Sequence, residues 1–227
     1  MLESRSYPSE GRPRLATLAM AGVLLGLAEI VVSAIMRYAG LPYRSALLAG
    51  VGAGAMGLAL AMEGRAVAAL AVAAVAVLCK ALAIPVFQMP FFCNANAYLA
   101  VMLNGAALTG VAALAGRRLE GSRIARVGAG AVAALGGVTA FYLLGVFVQP
   151  CRPLLHYDTA GGLLTYLAAK GLPAAAAAAV LMPAGWALGR RLRERVLPAW
   201  KSPGRLGYPV SAAILVACWL LNGLLVG

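Results

Sequence analysis

Residues 79–116 read CKALAIPVFQMPFFCNANAYLAVMLNGAALTGVAALAG. Two apolar runs flank a proline-broken, aromatic bend, and the stretch carries Lys80, Cys93, Asn94, Asn96 and, inside the second run, Asn104. Apolar runs of this length are membrane-span candidates. Polar groups set within them need partners, and such positions point first to function.

Working outward, the same pattern recurs along the chain. Of its 227 residues 63% are hydrophobic and 11% charged, where soluble domains carry roughly a quarter charged. Several spanning-length apolar runs in succession predict an all-α, polytopic helical membrane protein with no room for a separate soluble domain. The net charge of +12 does not indicate nucleic acid. The basic residues sit in short clusters between apolar runs, as the positive-inside rule requires.

A polar leader occupies 1–14. Its following apolar run is of full spanning length, so it reads as a retained helix and not a cleaved signal. Spans are expected at about 15–36, 45–62, 66–84 (stopped by Pro85), 95–115 and 124–148. A loop follows at 149–158. The stretch 161–188 is too long for one straight span and contains Gly171 and Pro173. It is read as a short interfacial segment and then a span from Leu172. The transmembrane core thus covers 15–190, a basic linker 191–207, and a seventh, C-terminal span 208–227.

With the N-terminus inside, the arginine clusters at 5–14, 65, 117–126 and 190–205 fall on one side. Arg37, Arg44 and Arg152 alone fall on the other. That bias predicts an integral membrane protein with seven spans and a cytoplasmic N-terminus. Small residues recur four apart at Gly22/Gly26, Gly50/Gly54, Ala53/Gly57 and Ala106/Gly110. Such pairs allow close helix packing, within the chain or against a partner.

Glu29 and Lys80 each lie about fourteen residues into their spans from the inner side. They share a depth in the outer half of the bilayer, where an ion pair is the economical arrangement for two charges. Asn94 and Asn96 stand where the chain re-enters the membrane, and Asn94 suits a helix cap as well as a ligand contact. Asn104 lies near the bilayer centre, where an amide needs an interhelical bond or a wet cavity. The 149–158 loop holds Cys151, Arg152, the single His156 and the single Asp158. Cys93 and Cys151 both map outside, where a disulfide is compatible with the environment.

One histidine and one aspartate leave no metal centre and no Mg-binding carboxylate set. No G-x-S-x-G, H-E-x-x-H or Walker loop is present, so no enzyme and no cofactor is expected. The last span lacks the lysine of a retinal protein.

Three stretches resemble a known family: RLATLAMAGVLLGLAE (14–29), KALAIPVFQMPFFCNANAYLAVMLNGAALTG (80–110) and AAAAVLMPAGWALGRRL (176–192). They are similar to the substrate-binding S components of energy-coupling factor (ECF) transporters. The resemblance implies a six-helix core that captures a small solute in an outward pocket. It also implies separate partner chains, two ATPases and a membrane coupling subunit. It would make Gly22 and Gly26 a docking face, as a variant of an A-x-x-x-A pattern. Departures are the extra seventh span, Asn104 where the related pattern has a glutamate, and the missing N-terminal histidines of the cobalt and nickel members. The candidate pocket is Lys80, Asn94, Asn96, Asn104, Arg152 and His156, with Glu29. Its excess of donors and positive charge suits a solute with an anionic or carbonyl-rich part. A ligand-free scaffold and a stand-alone secondary transporter are the alternatives.

Overall fold

Pro85 does not stop its helix. In the computed structural model α3 spans Val67–Phe87. A proline in the last turn loses one backbone bond and has little helix after it to disrupt. The structure describes residues 15–40, 43–87, 91–147, 154, 157, 159–195, 213 and 216. For 15–17, 27, 30–31, 33–34, 37, 82–87, 91–94, 146–147 and 195 it describes the backbone alone. The polar leader, most of the basic linker and of the seventh span, and most of the 149–158 loop lie outside the described residues.

Every regular element described is helical. α1 is Leu15–Tyr38, α2 Arg44–Glu63, α4 Phe91–Ala115, and α5 a single turn at Arg118–Gly121. α6 is Arg123–Phe147, α7 Gly162–Tyr166 and α8 Leu172–Arg195. Four helical segments are long and apolar enough to cross a membrane: Arg44–Glu63, Ala95–Ala115, Arg123–Gly145 and Gly162–Glu194.

The expected break near Leu172 is absent. α7 runs into α8 through a π-helical turn at Leu167–Gly171. Pro173 has no N–H to return to the preceding turn and crowds its carbonyls. The wider turn accommodates it, with the amide of Leu172 bonding the carbonyl of Leu167 five residues back. The 33-residue run Gly162–Glu194 is about 50 Å long at 1.5 Å per residue. That exceeds a hydrocarbon core of about 30 Å, so its arginine-rich end projects beyond the apolar layer.

Around the bundle the neighbours run α1, α2, α8, α6, α4, α3 and back to α1, and α2 also reaches α3, α4 and α6. α2 accordingly has the most buried spanning window. Small residues make this possible. Gly54 and Gly185 face each other across α2 and α8 with no room for a Cβ at Gly185, and Gly57 abuts the carbonyl of Met182. Gly130 of α6 sits on the carbonyl of Ala178, and Gly105 of α4 on Ala73. The core between them is built largely from alanine, with Leu25, Met56, Val72, Leu108 and Met182 as its largest fully buried side chains.

Turns at one end join α2 to α3 and α4 to α6. Gly64 takes a left-handed conformation (φ 67°) and bonds back to Leu60. Ser122 caps α6 by accepting the amide of Ala125 at 3.2 Å. At the other end the Tyr142 hydroxyl donates to the carbonyl of Tyr157 at 2.9 Å, and Leu154 is buried beneath. This pins part of the 149–158 loop to α6.

Candidate functional site

α1 and α3 bring two charges together inside the bundle. Lys80 Nζ lies 2.5 Å from Glu29 Oε2. Both side chains are largely enclosed, 17% and 8% exposed. The equal depth of the two residues, read from the sequence, is met here by direct contact. An unpaired charge at such a place costs about 2.5–3.5 kcal/mol on insertion scales, which the pairing offsets. Tyr98 of α4 supports the lysine. Its hydroxyl donates to the Lys80 carbonyl at 3.3 Å, and its ring centroid is 5.9 Å from the ammonium.

The pair forms one wall of a cavity of about 210 Å³ between α1, α2, α3 and α4. Arg44 and Ser45, at the start of α2, line its mouth and are exposed. Met56 and Asn104 line its deep end. Along α2 the lining from Arg44 to Met56 covers about 18 Å. The cavity therefore opens at the end of the bundle opposite the arginine clusters.

The side-chain oxygen of Asn104 has no hydrogen-bond partner among the described residues. This Oδ1 is sealed from solvent and rests against Gly137 of α6, where a Cβ would collide with it. Asn104 also borders the cavity. Behind it a gap of about 10 Å³ between α2, α4 and α6 is at the lower limit for one water.

Of the residues singled out in the sequence, Glu29, Lys80 and Asn104 meet at this cavity. Asn96 is half-buried on α4 and does not line it. Asn94 is the fourth residue of α4, past the cap position expected for it, because the helix starts at Phe91. Its side chain, like Arg152, His156, Cys93 and Cys151, lies outside the described residues. Gly22 and Gly26, expected as a partner-docking pair, are buried against Val75 and Cys79 of α3. That face is occupied within the chain. Arg44, Ser45 and Tyr98 were not anticipated. Arg44 reads from sequence only as a loop charge, although its place at a helix start with a serine beside it was visible.

The arrangement offers four donors (Arg44, Ser45, Lys80, Asn104) and one acidic acceptor. Among the described residues no three of His, Cys, Asp or Glu converge as a metal site would need.

Compared with family models, with curated proteins and with solved structures, the chain matches none.

Proposed function

We propose that this chain is a solute-binding membrane protein, and that the cavity between α1 and α4 is its site. One observation carries the reading. A cleft lined by an ion pair, an arginine and an unpartnered amide penetrates an otherwise apolar bundle and is open at one end. Buried polar groups inside a membrane are costly and mark solute pathways. The volume of about 210 Å³ lies below the range of about 300–1,000 Å³ for drug-sized sites. It suits a small organic solute with an anionic or carbonyl-rich part.

By the positive-inside rule the arginine clusters support a cytoplasmic location for the opposite end of the bundle. The N-terminus would then be inside and the cavity would face outward, in a bacterial inner membrane. A six-helix core with a seventh C-terminal span completes this reading. The resemblance to ECF S components names the partners: two ATPases and a coupling subunit on separate chains. A ligand-free scaffold is the second reading, favoured by the fact that Glu29 and Lys80 already satisfy each other.

Purification from native membranes in mild detergent tests this, with every attached chain identified. Two ATPases and a second membrane subunit support the importer reading. A chain that purifies alone even after crosslinking, and whose melting temperature no small carboxylate or carbonyl compound raises, overturns it.

A further inference from the structure

The Glu29–Lys80 pair is neutral as a unit, yet each partner keeps unused hydrogen-bonding capacity. An ammonium has three donors and a carboxylate accepts on both oxygens. Lys80 Nζ gives one donor to Glu29 Oε2, and among the described residues it meets no other acceptor. Glu29 Oε1 has no partner among the described residues and, unlike Asn104 Oδ1, is not sealed from solvent. Both residues border the α1–α4 cavity. A cation and an anion in contact, each with a free valence, therefore stand side by side in its wall.

This pairing discriminates by charge. A plain carboxylate reaches the Lys80 ammonium only beside the Glu29 carboxylate, and like charges placed together in a poorly hydrated site repel. A plain amine reaches Glu29 only beside Lys80 and meets the same obstacle. A solute with both charges on neighbouring atoms meets neither. Its carboxylate takes free donors of Lys80, its ammonium takes Glu29 Oε1, and the net charge of the cavity is unchanged. Specificity then comes from repulsion of the half-matched solute as much as from attraction of the matched one. Arg44, which makes no ion pair among the described residues, stands at the mouth and attracts the carboxylate end. The rest of the lining is largely apolar, with Leu25, Leu48, Met56 and Val101 as its larger side chains.

Resting on the solute-binding reading of this cavity, we propose that its solute is a zwitterion, a small α-amino carboxylate with an apolar side chain. Such a molecule carries ammonium and carboxylate on one carbon, so it addresses both members of a contact ion pair at once. The volume of about 210 Å³ is below that of drug-sized sites, which suits a single amino acid and not a peptide.

The test is thermal unfolding of the purified full chain in neutral detergent. L-Valine, L-leucine and L-methionine are added in turn, followed by three relatives of valine. Isovalerate lacks the ammonium, isobutylamine lacks the carboxylate, and δ-aminovalerate is an isomer of valine with its charges at opposite ends. At saturation at least one of the α-amino acids is expected to raise the melting temperature by about 5 °C. The three relatives are expected to leave it unchanged. An equal or larger rise with isovalerate overturns the zwitterion and leaves the solute-binding reading standing. An equal rise with δ-aminovalerate overturns the demand for both charges on one carbon, and with it the α-amino carboxylate. No rise with any α-amino acid overturns the proposal, and silence from isovalerate as well counts against solute binding itself.

Glu29→Gln keeps the shape of the side chain and removes both the acceptor charge and the repulsion. It is expected to weaken α-amino acid binding by about tenfold or more and to strengthen isovalerate binding. A merely structural role for Glu29 would not produce that inversion. If both affinities fall together in Glu29→Gln, the contact between Glu29 and the ammonium is overturned. The comparison of solutes on the parent chain needs no variant, so it decides even where Glu29→Gln is poorly stable.

Discussion

Lys80 and Glu29 meet across the α1–α3 interface at 2.5 Å, one turn from the point where Gly26 lets the two helices approach at Cys79. The pair is enclosed but not sealed, since the cavity reaches it. Removing one partner strands the other charge in the bundle. Lys80→Ala is therefore expected to destabilise the protein by about 2–4 kcal/mol, below or near the range for breaking a buried pair. Glu29→Leu/Lys80→Met replaces both charges by apolar groups of similar size and is expected to recover most of that loss. Chemical denaturation in detergent of the single and double variants measures both. A double variant no more stable than Lys80→Ala would show that the pair does not account for the loss.

The contact between α2 and α8 makes a sharper prediction. Gly185 faces the backbone of Gly54 with no space for a side chain. Gly185→Val must force the helices apart, and overpacking of this kind costs about 1–3 kcal/mol or more. Gly110 is exposed with nothing near a Cβ. Gly110→Ala, in a helix interior, is expected to be neutral or to stabilise by up to about 1 kcal/mol. Melting temperatures of the two variants separate packing from propensity, and equal losses would refute the close approach.

Thr109 tests a smaller term. Its Oγ1 accepts the amide of Leu70 at 3.1 Å, joining α4 to the first turn of α3. That amide has no partner within its own helix. Thr109→Val keeps the shape and removes the acceptor, so a loss of about 1 kcal/mol is expected. Hydrogen exchange at Leu70 should quicken while the rest of α3 stays protected.

Much of this layout was legible in the chain because a membrane limits the choices. The apolar runs located α2, α4 and α6 to within a few residues, and equal depth paired Glu29 with Lys80. Two boundaries were misplaced for a shared reason. Pro85 was read as a stop, and Gly171 and Pro173 as the mark of a break before Leu172, but a proline near a helix end or beside a π-turn is tolerated. The α4 start fell at Phe91 and not Ala95, which moved Asn94 inside the helix. Gly22 and Gly26 illustrate a different limit. A small-residue pair states that something approaches closely, and only the fold says that it is α3. Arg44 was obscured because a charge at a helix start looks the same whether it faces a loop or the mouth of a cavity.

Asn104 separates the binding role from the structural one. Its oxygen is buried without a partner against Gly137, an arrangement that costs stability unless something else is gained. Asn104→Leu removes the unsatisfied group and keeps the volume, so the empty protein is expected to be as stable as the parent or more so. If the cavity binds a solute through the amide nitrogen, the same variant is expected to weaken that binding at least tenfold, a loss of about 1.4 kcal/mol. A melting temperature that rises in the empty variant, together with a lost response to solute, would assign Asn104 to recognition. A fall in the empty protein's stability would instead assign it to packing between α4 and α6, and the cavity would lose its deepest contact.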